Sequence, residues 1–223
     1  MTALQVLRGT RRTTRRQRGQ GLVEFTLIVP LFLLLLLSML DFGYAFYTKL
    51  TLEYATREGA RVGAALANGG GDMGCGTGQS PNAADVDKYV MAAVQRVLQS
   101  AGIRIDVNPN GGGGVKSVRI YKADGTTGAD PGGVANQWTY SAGGGPNIPG
   151  TTTPLDFVET SHGWDACSRV NSIANPDSLG VSITYDYAYI TPLAGIYQFM
   201  FKGPPPTLKL DDRTVMQLNP TGG

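Results

Sequence analysis

The sequence predicts an α+β protein: a long amino-terminal membrane-spanning helix that continues into a head, where helix packs on antiparallel sheet. Three observations predict it. Residues 27–40 are apolar except for Pro30 and Ser38, and a basic segment precedes them. Residues 41–67 contain no proline and repeat small side chains at every fourth position near their end. Residues 180–193, GVSITYDYAYITPL, alternate apolar or aromatic with more polar side chains, the period of a half-buried strand.

The span comes first. With residues 21–23 the apolar run approaches the ~20 residues needed to cross a hydrocarbon layer of ~30 Å. Arg8, Arg11, Arg12, Arg15, Arg16 and Arg18 precede it with no acid among them, which holds the short end in the cytoplasm and sends the residues after Asp41 outward. Phe42, Tyr44, Phe46 and Tyr47 supply an aromatic belt at the far interface. A cleaved signal peptide is the competing reading, but the run sits at the long end of that range and Gly43-Tyr44-Ala45 is too crowded by aromatics to be a good small-x-small cleavage site. The formal charge of +2 therefore misleads: without those six arginines, 13 basic residues face 17 acidic ones, a net of −4. The basic balance is a local tail and gives no argument for nucleic acid.

Residues 22–67 read as one helix of about 69 Å at ~1.5 Å per residue, more than twice the hydrocarbon thickness, so its outer half must pack on something. Ala55, Gly59, Gly63 and Ala67 make a stripe without bulk. Each glycine costs roughly 1 kcal/mol against alanine in a helix, which implies a close-packing reason. Contact with the protein's own sheet is preferred here to contact with another subunit.

The segment RRQRGQGLVEFTLIVPLFLLLLLSMLDFGYAFYTKLTLEYATREGAR resembles the TadE-like family of minor pilins or pseudopilins of tight-adherence (Flp, type IVc) pili. The resemblance covers about residues 15–66. It rests on the conjunction of a basic leader, Gly19 with Glu24 five positions later, the leucine run, Asp-Phe-Gly, and Ala-x-Arg-Glu-Gly-Ala-Arg. It implies cutting by a prepilin peptidase between Gly19 and Gln20, which makes Glu24 the fifth residue of the mature chain. Cutting after Gly21 would put Thr26 there instead. Cleavage removes the arginines and frees an amine of pKa near ~8 that can pair with Glu24 inside a helix bundle. Pro30 lacks an N–H and is expected to kink or locally melt the helix. The implied organisation is a leader (1–19), a span (20–41), an extracytoplasmic continuation of the helix (42–67) and a pilin-like head (68–223). The implied place is the cytoplasmic (inner) membrane, with the bulk outside and incorporation into a surface pilus open. The implied partners are the peptidase, other pilin or pseudopilin subunits with their membrane assembly platform, and the lipid bilayer.

In the head, residues 68–82 form a Gly-rich loop carrying Cys75. A second helix follows with Asn82 as N-cap, Val86, Tyr89, Val90, Ala93, Val94, Val97 and Leu98 as its apolar face, and Gly102 as its stop. Ile103, Ile105 and Val107 alternate as a strand, and Val115, Val118, Ile120 and Tyr121 read as its return, with a slip at Lys116 and Ser117. Residues 122–156 are rich in Gly, Pro, Thr, Asn and Asp without a period and read as a variable surface loop, an adhesive or subunit-contact role being second. They hold no phosphate-binding loop motif. Tyr185, Tyr187 and Tyr189 share one face of the clearest strand; packing is preferred there to glycan or nucleic-acid binding. Residues 207–218 add a last strand broken by a turn near Asp211 and Asp212. Gly (31) and Pro (13) make up so much of the chain that long irregular connections are expected.

Cys75 and Cys167 have no metal-binding spacing. Outside the cytoplasm a disulfide is expected, and closing a loop of about 90 residues would stabilise by roughly 4 kcal/mol in the chain-entropy model. Two buried thiols are the alternative. Catalysis is disfavoured. His162, the single histidine, adjoins Ser161 and lies near Asp165 and Cys167, but neighbours in sequence cannot adopt triad geometry, and a bridged Cys167 is no nucleophile. Asp211, Asp212 and Glu58 read as solvated acids, and neither cofactor nor metal is implied. Three functions stand side by side: a processed minor pilin, an uncleaved single-pass anchor displaying a binding or adhesion head, and a tethered hydrolase using His162.

Overall fold

The computed structural model describes residues 17–66, 83–106, 113–172, 174–203 and 207–218. One helix, α1 (Gln17–Leu66), takes 50 of them. Its character changes at Asp41. Residues 19–40 are exposed or half-exposed, whereas Asp41, Ala45, Thr48, Leu52, Ala55, Gly59 and Gly63 are buried at intervals of three and four. The inner part thus satisfies its backbone internally and turns apolar side chains outward, as lipid requires, while the outer part lays one stripe on the head. Helical backbone runs unbroken through Pro30, so the loss of its N–H does not melt the turn.

A short 3-10 turn (Ala83–Asp85) leads into α2 (Val86–Ser100), and Gly102, with φ +65°, turns the chain away. Asn82, the expected cap, lies outside the described residues. The sheet has five strands: β1 (Gly114–Ala123), β2 (Ala135–Tyr140), β3 (Phe157–His162), β4 (Ser178–Tyr187) and β5 (Leu208–Gln217). Their order is β3-β2-β1-β4-β5, with every neighbouring pair antiparallel. Between β4 and β5 lies α3 (Leu193–Phe201). The outer part of α1 and all of α2 cover one face, where Leu52, Val90, Val94, Val118, Val181 and Ile183 close the core without solvent exposure. A smaller cluster of Tyr121, Ala123 and Ala135 with Val215 sits apart from it.

Three expectations are corrected. Residues 103–105 form no strand: Ile103 buries its side chain and the Ile105 carbonyl accepts from Val115 N at 2.9 Å, while the strand pairing of β1 is with β4 along its length and with β2 from Val118 to Tyr121. Val107 lies outside the described residues. The stretch 122–156 is not a free loop. It contains the end of β1 and all of β2, and its second half is pinned to α2, with Asp156 accepting from Gln95 Nε2 at 3.2 Å, Gln99 Nε2 at 2.7 Å and Gly143 N at 2.7 Å, and with Leu155 wholly buried. Finally, β5 passes through Asp211 and Asp212 without a turn, because Asp212 bonds α1: Lys49 Nζ lies 2.7 Å from Oδ1 and Thr56 Oγ1 donates to Oδ2 at 2.6 Å. The slip at Lys116 and Ser117 is a bulge in the pairing of β1 with β4.

Candidate functional site: the spanning helix and its neck

Gly19, Gln20 and Glu24 stand exposed near the start of α1. Residues four apart share a helix face, and Gln20 Nε2 donates to Glu24 Oε1 at 3.1 Å. Nothing lies within 4 Å of the space a side chain would occupy at Gly19 or Gly21. Farther in, Thr26 and Ser38 donate their hydroxyls to the carbonyls of Leu22 and Leu34 at 2.7 and 2.8 Å, so neither presents an unsatisfied group to lipid. Glu24 is the one acid between Gly19 and Leu40, and among the described residues its hydrogen-bond partner is the neutral amide of Gln20.

The neck begins one turn beyond Ser38. Asp41 is buried and its carboxylate accepts from Ile190 N at 2.9 Å, Thr191 N at 3.2 Å and the Thr191 hydroxyl, while Tyr187 donates its hydroxyl to the Asp41 carbonyl at 2.9 Å. This one acid ties the end of β4 to the helix just where the helix leaves the apolar stretch. Burial pushes the Tyr187 hydroxyl up to about 12, so it stays a donor. The alternating tyrosines are packing: Tyr185 and Tyr187 are buried, and Tyr44 and Tyr189 close on Tyr187 with ring centroids at 6.0 and 5.9 Å.

Above the neck the small-residue stripe meets α2 and β4. A Cβ at Gly59 would sit 2.7 Å from Val94 Cγ2, and one at Gly63 would sit 3.0 Å from both δ-carbons of Leu179, so the missing side chains are what let the backbones close. Ala55 is buried in the same seam, and Ala67 lies outside the described residues.

The residues weighed for catalysis are not assembled. His162 Nδ1 lies 2.7 Å from Glu159 Oε1 on the edge strand, and that bond raises the imidazole above its ordinary value. The Asp165 carboxylate accepts from Cys167 N at 2.8 Å, capping a short turn. Cys167 is disulfide-bonded, and Cys75 lies outside the described residues. Among the described residues no group of three or more His, Cys, Asp or Glu could hold a metal ion. The nearby polar cluster is a clip: Arg169 pairs with Asp87 at 2.7 Å, stacks 4.3 Å over the Trp164 ring, and Asn136 Nδ2 donates to Asp87 at 2.6 Å. It fastens α2 to β2 and to the turn after β3.

Sequence reasoning passed over the neck. In the sequence Asp41 marks the end of the span and opens Asp-Phe-Gly; the signal for its structural role is an acid placed directly against the apolar run.

Among the described residues, fold and site together define one helix long and apolar enough to cross a membrane, whose outer part is built into the core of an α+β head. Residues 19–61 match the family model described as TadE-like protein, so the chain carries a TadE-like domain that takes in the apolar stretch, Asp41 and the first two residues of the stripe, Ala55 and Gly59. The match supports a protein associated with the tight-adherence pilus. No curated protein and no solved structure matches the chain.

Proposed function

We propose that this is a non-enzymatic minor pilin or pseudopilin, cut by a prepilin peptidase between Gly19 and Gln20, that acts in assembling a tight-adherence type IV pilus or a related secretion system. The observation that carries the reading is the TadE-like match, which begins at Gly19 and runs along a helix with an apolar inner part and an outer part embedded in the head. The span sits in the inner membrane with its amino terminus in the cytoplasm, and Cys75 bridges Cys167 outside. Before cleavage the arginines hold the helix at the cytoplasmic face. After it, the new ammonium of Gln20 stands one helical turn from Glu24, where a positive charge can replace the neutral amide partner. In a bundle of such helices an acid and an amine stabilise each other where either alone would be costly. A bend at Pro30 would adjust how neighbouring spans pack. Peptidase, subunits of the same kind and the assembly platform are the partners.

Co-expression with a prepilin peptidase tests this. Amino-terminal sequencing is expected to show a chain starting at Gln20; a chain that keeps Met1 beside an active peptidase means an uncleaved anchor. Glu24→Ala is expected to insert into the membrane normally and to be lost from assembled pili, and normal incorporation would remove the pairing from the mechanism.

A further inference from the structure

We infer that α3 is a second membrane contact, lying in the outer leaflet beside the span. Its sequence, LAGIYQFMF, carries no charge, and all nine residues are exposed or half-exposed, with Phe199, Met200 and Phe201 at 87%, 65% and 64%. A soluble head would not leave such a continuous apolar patch to water. The position of α3 says what covers it. Between α3 and α1 lies an open apolar cavity of about 340 Å³ whose wall includes Leu34, Leu193, Ile196, Tyr197 and Met200. Leu34 belongs to the apolar stretch and lies about 10 Å inward of Asp41 at ~1.5 Å per residue, within the hydrocarbon of a bilayer that α1 crosses.

Since Leu34 of the span and the residues of α3 line one cavity, α3 stands at about the depth of Leu34. The occupant is the acyl chains of the head-side leaflet. Asp41 fixes the arrangement by bonding Ile190 N and Thr191 N, immediately before α3 begins. At the other end Lys202 adopts a left-handed cap and is exposed, placed to lift its ammonium to the headgroups. Interfacial helices bury their apolar side chains about 5–10 Å into the headgroup and acyl boundary, comparable with the depth that Leu34 marks.

The inference rests on the reading that α1 spans the bilayer, and the test separates the two. Full-length Phe199→Trp and Phe32→Trp proteins are reconstituted into phosphatidylcholine vesicles with plain or brominated acyl chains. The native Trp138 and Trp164 are buried in the head and give a common background. Phe32 is an exposed residue of the span and serves as the reference. The tryptophan of Phe199→Trp is expected to be blue-shifted and quenched by brominated chains to an extent comparable with that of Phe32→Trp. Unquenched, red-shifted emission from Phe199→Trp beside a quenched Phe32→Trp puts α3 in water and overturns the inference. Blue-shifted but unquenched emission means that a neighbouring subunit or second copy covers α3, and overturns it equally. If Phe32→Trp is itself unquenched, the spanning reading falls and takes the inference with it. Near-ultraviolet circular dichroism of the native tryptophans confirms that both variants fold.

Discussion

Gly59 and Glu159 show how single positions carry measurable consequences. At Gly59 a side chain would press on Val94, a stiff β-branched residue that cannot swing aside within its helix. Gly59→Val is therefore expected to destabilise the head by about 1–3 kcal/mol in denaturant unfolding. Gly43→Ala, with nothing within 4 Å, should leave the midpoint unchanged or raised. The Glu159 carboxylate holds His162 above its ordinary value, chiefly through their hydrogen bond. A raised basic group contributes its stability in full below the unfolded value of ~6.5 and loses it as pH rises through the higher folded value. His162 is more than half exposed, so the effect on stability is small, and the imidazole resonance is the better readout. Its NMR titration should lie above that of an unstructured histidine, and Glu159→Gln should bring it back towards the ordinary value.

Elements are joined by acids whose roles could not be seen locally. Asp41→Ala leaves Ile190 N and Thr191 N without their acceptor, at a cost of about 1–3 kcal/mol, and hydrogen exchange should rise across residues 188–192 first. Arg169→Met strands the buried Asp87 carboxylate and is expected to cost about 3–5 kcal/mol in the same unfolding assay. The sequence showed α1, α2 and β4 because each writes its own period in consecutive side chains. The proposed site at Gly19 and Glu24 can be read from the sequence alone because its spacing is local. The sequence hid β2 and β3 because ANQWTY and FVETSH sit among glycines and prolines and owe their pairing to β1 and to each other. Asp41 meets Ile190 from 149 positions away, and Asp212 meets Lys49 from 163, so neither partner could be inferred from neighbours. Two adjacent acids suggested a turn; one of them was spoken for by a distant helix.

For the whole molecule, the decisive property is that the head's core is incomplete without α1 from Asp41 onward. A chain beginning at residue 41 is expected to give a dispersed, folded amide NMR spectrum. One beginning at residue 68 should not, because Leu52, Ala55 and Ala60 leave the core with it. The dividing line between the membrane-capable stretch and the head therefore falls inside one helix rather than in a linker, which is why no Gly/Pro-rich joint marks it in the sequence.

The bonds from Asp212 to Lys49 and Thr56 have a mechanical reading. Together with the stripe under α2 and the Asp41 neck, they grip the helix at several heights along its axis. A pull on the head along α1 loads these contacts in shear, all at once, instead of peeling them one by one. The head is therefore a firm handle, and the span moves with it as one rod.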